Sequence, residues 1–310
     1  MAGSGTHQFV ALCPHVFISG RVKGIGGLET IGFGFVRALA VIIALLVLTR
    51  AAAAEPELVE IPEGSTKLKA YVYRPAGDGP FPAVVALHGC AGLAGRSGPV
   101  ARRYGDWGER LAAAGFVVLF PDSFGSRGLP SQCTVRERSV RTGRERVADA
   151  IAARHWLQNQ KWVVADHVSL LGWQNGGGAA LWTVRRRGRT ASTEGGPDFR
   201  SAVALYPGCR RLRQSEWSAR VPTLLLVGAA DDWGPASICQ QMVASARGRS
   251  AQAEIIVYPG AYAEFDHPDK PIQQMSGLAS SADGSGRAHS GTNPTARADA
   301  IRRVPLWLAR

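Results

Sequence analysis

The 310 residues are 45% hydrophobic and carry 36 Lys and Arg against 24 Asp and Glu, a net charge of +12. That hydrophobic share excludes a disordered or low-complexity chain, and the length suffices for one large core. The basic excess invites a nucleic-acid reading, but no recognisable nucleic-acid-binding motif accompanies the arginines, so no such partner is expected.

The chain opens on an export signal. Ala38 to Leu48 is an apolar run of eleven, preceded by Arg21, Lys23 and Arg37 and followed by Ala51-Ala52-Ala53-Ala54. Eleven residues fall short of the roughly 20 that span a bilayer, whereas a positive flank, a short apolar core and small residues at the exit describe a secretory leader. The expected division is a leader over residues 1–54, cleaved near Ala54, and one folded domain over 55–310, secreted or periplasmic. The alternatives are an uncleaved anchor and an upstream mis-set start codon. Cys13 leaves with the leader, and Cys90, Cys133, Cys209 and Cys239 remain. An even set in an exported protein permits two disulfides, and three pairings stay open. No CxxC or Cys/His cluster with metal-ligand spacing is present, so neither metal nor cofactor is expected.

Beyond the leader, strand and helix signals alternate. Lys67 to Pro75 has the apolar-polar period of an exposed strand, and Phe81 to Leu87 reads as a continuous buried one. A helix is expected over Tyr104 to Ala114, a strand over Phe116 to Phe120, a helix from about Arg144 to Gln160, and a strand over Val168 to Leu171. Then come a helix over Gly177 to Arg187, strands at Ala202 to Tyr206 and Thr223 to Val227, a helix from Pro235 to Arg247, a strand at Glu254 to Tyr258, and a closing helix near Asn293 to Ala309 broken by Pro305. Met275 to Ser290, rich in Gly and Ser, reads as a loop. The alternation predicts an α/β fold, with a mostly parallel central sheet, helices on both faces and a single domain. Arg136, Arg138, Arg141, Arg144 and Arg146, and Arg185-Arg186-Arg187 with Arg189, read first as a solvated helix face, Glu137 and Glu145 being interspersed. Attraction to an anionic envelope surface or an acidic substrate comes second.

Gly172-Trp173-Gln174-Asn175-Gly176 is the most informative stretch. A strand precedes it and a helix follows, which is the frame of a nucleophile elbow, where one residue stands in strained geometry between two glycines. The apex is Gln174, whose amide has no ionisable proton near neutral pH and cannot be activated by a base. Open parallel sheets place their chemistry after the carboxyl ends of strands. There stand His88-Gly89-Cys90-Ala91-Gly92, Gly228-Ala229-Ala230-Asp231-Asp232-Trp233 and Tyr258-Pro259-Gly260-Ala261-Tyr262-Ala263-Glu264-Phe265-Asp266-His267.

With Pro121-Asp122-Ser123-Phe124 and the Gly-Trp-x-Asn-Gly-Gly elbow, these segments resemble the dienelactone hydrolase family of the α/β-hydrolase fold, over nearly all of the mature chain. The resemblance implies hydrolysis of a small ester or lactone by a Ser or Cys nucleophile, a His base and an orienting Asp. Carried over by position, the nucleophile falls on Gln174, the acid on Asp231 and the base on Ala263, with oxyanion donors in the backbone N–H groups of Cys90 and Asn175. Only the acid survives, so the expectation is a pseudoenzyme, inert or very weak as a triad hydrolase, that binds a small ester- or lactone-like ligand or a partner. The alternative is a carboxylic-ester hydrolase acting through a non-standard residue such as Cys90 or His267. For Cys90 the rival reading is a disulfide, for His267 a loop-structuring residue, for Ser123 and Ser169 hydrogen bonding. For Asp232 it is a loop or capping carboxylate, and for Trp173 and Trp233 core packing.

Overall fold

The computed structural model describes residues 56–96, 98–186 and 196–310. The expected leader, Arg187 and Arg189 lie outside these residues. The strands are β1 (Glu57–Glu63), β2 (Thr66–Tyr73), β3 (Phe81–Leu87), β4 (Val117–Pro121), β5 (Val163–Trp173), β6 (Ala202–Leu205), β7 (Thr223–Gly228), β8 (Ala253–Tyr258), β9 (Gln273–Met275) and β10 (Ala288–Ser290). The helices are α1 (Arg102–Ala113), α2 (Glu145–Gln158), α3 (Asn175–Thr183), α4 (Arg210–Gln214), α5 (Ala236–Ser245) and α6 (Pro294–Leu308).

Eight strands form one sheet in the order β1-β2-β4-β3-β5-β6-β7-β8. The first two pairings, β1 with β2 and β2 with β4, are antiparallel, and every later one is parallel. The parallel strands are apolar without interruption, as a sheet covered on both faces requires: Ala83 to Leu87 and all of β6 and β7 are buried. Alternate residues serve opposite layers. Ala83, Val85 and Leu87 pack with Ala150, Ala153 and Leu157 of α2, Ala179 and Leu181 of α3, and Met242 of α5. Val84 and Ala86 pack with Tyr104, Trp107 and Leu111 of α1 and Ala296, Ala300 and Val304 of α6. The α1 residues recur at helical spacing, and each large side chain so buried contributes about 1.5–3 kcal/mol.

The sheet and its two helical layers are as expected, and four local expectations are corrected. β1 exists although only Ile61 in it is buried, which left no apolar period to detect. α6 runs through Pro305, because a proline this near the end removes one backbone bond while Val304, Trp307 and Leu308 stay packed. Its start is firm, since Asn293 accepts the N–H of Ala296 at 3.0 Å with proline at the first helical position. The stretch expected as a loop from Met275 to Ser290 begins and ends in two short paired strands, β9 and β10. Arg136, Arg138, Arg141 and Arg144 do not ride a helix, because α2 starts only at Glu145, and Arg146 within it is buried. Two disulfides, Cys90–Cys133 and Cys209–Cys239, close the pairing that the sequence left open.

Candidate active site

β5 ends at Trp173 and α3 begins at Asn175, so Gln174 makes the turn alone, at φ 50° and ψ −109°. A positive φ on a residue with a side chain costs about 1–3 kcal/mol and persists only where its surroundings fix it. Here the N–H of Gln174 donates to the Leu205 carbonyl at 2.9 Å, and the N–H of Gly178 donates to the Gln174 carbonyl at 2.9 Å. The flanking glycines are steric necessities. A Cβ on Gly172 would stand 2.3 Å from the Gly176 carbonyl oxygen, and one on Gly176 would stand 1.9 Å from that of Leu87.

Opposite the turn lies the loop after β3. The backbone N–H of Cys90 donates to the side-chain oxygen Oε1 of Gln174 at 2.7 Å. The amide carbonyl of Gln174 thereby takes up this backbone donor. Several groups hold the loop. The N–H of Gly89 donates to the Tyr104 hydroxyl at 2.8 Å. The His88 ring is fully buried and is taken as neutral, with Nδ1–H donating to the Gly89 carbonyl at 2.8 Å and Nε2 accepting the Ser123 N–H at 3.2 Å. Burial and then the nearby Arg146 charge hold its pKa well below the usual histidine range, the Gly89 bond opposing them.

Arg146 ties this loop to the elbow. One guanidinium nitrogen donates to the His88 carbonyl and to Oδ1 of Asn175, both at 2.7 Å, and Asn175 in turn donates through Nδ2 to Thr142 Oγ1 at 2.7 Å. Burial lowers the Arg146 pKa to about 10, with Asp149, Tyr104 and Asp122 working in the other direction and Arg138 adding to the decrease. The sequence placed Arg146 among solvated arginines, and only the packing of α2 reveals it as a buried clamp.

The positions expected for the acid and the base share a second region. The loops carrying Asp231 and Ala263 are joined by the N–H of Ala230 donating to the Ala261 carbonyl at 3.0 Å. Asp231 Oδ1 accepts the N–H groups of Trp233 and Gly234, each at 2.9 Å. Its Oδ2 is buried and has no hydrogen-bond partner among the described residues. Burial pushes the Asp231 carboxyl up to about 7, the two N–H bonds pulling down and Asp232 adding a small rise. Ala263, expected from the sequence at the base position, is itself buried and offers only a methyl group.

A different histidine stands close by. Ser290 forms a bridge with Ala263, and the neighbouring His289 engages Asp232 twice, Nδ1 to Oδ2 and backbone N–H to Oδ1, both at 2.7 Å. Its ring packs against Tyr262 with centroids 5.2 Å apart. Sequence reading passed over His289 because it sits in the Gly/Ser-rich stretch, and only the β9–β10 pairing brings it to Ala263. Asp232 is therefore the partner of a histidine rather than a loop cap.

The remaining candidates resolve as follows. The Cys90 sulfur is in a disulfide with Cys133, so it is not a thiol nucleophile. His267 Nδ1 accepts the Asp269 N–H at 3.3 Å within its own turn, and burial followed by Arg103 lowers its pKa. Ser123 is buried beneath Arg146 and His88, and Ser169 Oγ meets Ser201 Oγ at 3.0 Å. Trp173 is core, its Nε1 donating to the buried Asp266 at 2.7 Å, whereas Trp233 lines the cleft.

That cleft, of about 930 Å³, opens over Gln174 and Asn175 and is walled in part by Trp182, Trp233 and Ile238. Arg136, Arg138, Arg141, Arg144, Arg210 and Arg211 also line it.

The sequence profile of the dienelactone hydrolase family matches residues 68–310. No curated protein matches the sequence. The structure is similar to that of a protein from Klebsiella pneumoniae assigned as a dienelactone hydrolase, with a TM-score of 0.61 and 20% identity over 82% of this chain and 98% of that one. It is also similar to esterase 2 of Thermogutta terrifontis in its tabun-phosphoramylated form, with a TM-score of 0.58 and 17% identity over 84% and 96% of the two chains. At these identities the solved structures establish the shared α/β-hydrolase fold.

Proposed function

The chain belongs to the dienelactone hydrolase family, and on that premise we propose that it is a pseudoenzyme of the family, retaining the pocket to bind a small ester- or lactone-like compound with little or no turnover. The family and the esterase-like fold support a hydrolase-like function at the coarse level. One observation carries the finer reading: Gln174 Oε1 sits on the Cys90 N–H at 2.7 Å, so an inert amide fills the seat of the reacting carbonyl. Cys90 and Asn175 supply the backbone N–H groups of an oxyanion site, Asp231 is the surviving acid, and Gln174 and Ala263 supply neither nucleophile nor base. In a serine protease, loss of nucleophile or base lowers turnover by about 10⁶, and losing both lowers it hardly further. The test is an aryl-ester assay on the unmodified protein together with covalent labelling by serine- and thiol-reactive probes. Background-level hydrolysis without label is expected, and a trapped acyl-enzyme overturns the reading.

A second reading rests on His289. With its Nδ1 on Asp232, this ring has the arrangement of a general base and could activate water directly, giving slow hydrolysis without a covalent intermediate. Hydrolysis that is abolished by His289→Ala, with no labelled intermediate, selects it. Export with cleavage near Ala54 belongs to the same proposal, and the two disulfides support an oxidising compartment. Mass spectrometry of the mature N-terminus tests that part.

A further inference from the structure

The arginines at the mouth of the cleft form a pattern that ester recognition does not require. Four of them, Arg136, Arg138, Arg141 and Arg144, come from the segment between Cys133 and α2, and Arg210 and Arg211 open α4 directly after Cys209. Each segment is anchored by a disulfide: Cys133 to Cys90 in the loop facing Gln174, and Cys209 to Cys239 in α5. Loop ordering is thereby settled before any ligand arrives, which lowers the entropy lost on binding.

The charges in this rim are not balanced. Arg141 is paired with Glu145 at 2.8 Å, and Arg144 reaches the same carboxylate at 3.7 Å. Among the described residues, Glu137 is the one acidic residue lining the cleft. Among the described residues no carboxylate forms a salt bridge with Arg136, Arg138, Arg210 or Arg211. Arg138 instead donates through Nε to the carbonyls of Gln132 at 2.9 Å and Val135 at 3.1 Å. Arg138 and Arg211 line the same cleft from the two anchored segments, and burial, followed by the Arg211 charge, lowers the Arg138 pKa. Like charges held on two fixed segments repel one another, and an anion that enters between them relieves that repulsion. Trp182, Trp233 and Ile238 give the same cleft apolar surface for the body of a ligand.

We propose that the cleft over Gln174 is a binding site for a small polyanion, a molecule carrying two or more carboxylate or phosphate groups that the disulfide-anchored arginines hold at the rim. The inference rests on the ligand-binding reading above and narrows its ligand to this chemistry.

The experiment is titration calorimetry on the whole protein in about 0.15 M salt, with benzene-1,3,5-tricarboxylate, benzoate, pyrophosphate and acetate as probes. The tricarboxylate or pyrophosphate should bind at least about tenfold more tightly than either monoanion. Which of the two binds more tightly distinguishes a carboxylate from a phosphate ligand. Arg138→Gln with Arg211→Gln should remove most of that preference, while Arg249→Gln, whose guanidinium caps the Ser245 and Glu216 carbonyls outside the cleft, should leave it intact. If the double variant does not fold, the salt dependence of the unmodified protein decides. Affinity for the trianion should fall steeply with salt and that for benzoate little. Equal affinity for mono- and polyanions, or an equal loss in the Arg249 variant, overturns the proposal. Binding is read without turnover, so this outcome leaves the pseudoenzyme reading standing, whereas ester hydrolysis with intact polyanion binding removes that reading alone.

Discussion

The two regions of the site have fared differently. At the ends of β3 and β5, the turn at Gln174, the Cys90 N–H, the His88 ring and the Arg146 clamp are bonded into one network, in which Arg146 leaves one buried nitrogen, Nη2, without a partner among the described residues. At the ends of β7 and β8, Asp231 keeps a buried oxygen without a partner among the described residues, and Ala263 offers only a methyl group. The first region is made chiefly from backbone and fixed by packing, so it survives a change of side chain at its apex. The second is built around side chains. A frame of backbone and packing tolerates a change of side chain that a site built from side chains does not.

The largest effect that sharpens this contrast comes from restoring side chains to the intact frame. Gln174→Ser with Ala263→His should raise aryl-esterase turnover by about 10³ or more, roughly 4 kcal/mol of barrier, while each change alone does little. A large gain from Gln174→Ser alone, lost again with His289→Ala, would show that the Asp232 pair already supplies the base. Equal gains from both single changes would show that Ala263 is not the histidine position.

Next in size is the disulfide that joins the backbone region to the arginine segment. Replacing Cys90 and Cys133 by alanine should cost about 3–4 kcal/mol in a denaturant titration, from the 43-residue separation that the bond closes. Arg146→Leu should follow at about 2–3 kcal/mol, because the His88 carbonyl and Asn175 Oδ1 both lose their donor. A neutral outcome would mean that the backbone frame stands without its clamp.

The smallest effect has the opposite sign and belongs to the other region. The Asp231 carboxyl has a folded pKa of about 7, above its unfolded value, so the folded state holds the proton to higher pH than the unfolded chain does. Its contribution to stability therefore falls as pH rises from about 4 to about 7, and the full penalty acts above that. Asp231→Asn should stabilise the protein by roughly 1–2 kcal/mol at pH 8 and by less at pH 5, read from thermal melts at both. Ala263→His should abolish the slope by giving Oδ2 a donor.

Much of the frame was legible because its signals are local. Continuous apolar runs mark β3, β6 and β7, and Gly172 and Gly176 mark the elbow. That Gln174 and Ala263 carry neither a nucleophile nor a base could be read from residue type alone. What escaped depends on contacts distant in sequence. His289 reaches Ala263 only through a bridge made by β10, Arg146 becomes a clamp only when α2 packs, and the disulfide pairing follows from which loops meet over the sheet. β1 was missed for the reverse reason, since a strand with one buried residue carries almost no periodic signal.

The amide of Gln174 has a consequence for whatever enters the cleft. Because it is tethered to its own backbone, it competes for the Cys90 N–H at an effective concentration that no dissolved carbonyl compound can match. An incoming guest must displace this resident rival or leave it in place. Compounds selected by the intact protein will therefore draw their affinity from other walls of the cleft, and shortening residue 174 to alanine should admit a class of guests that the natural chain turns away.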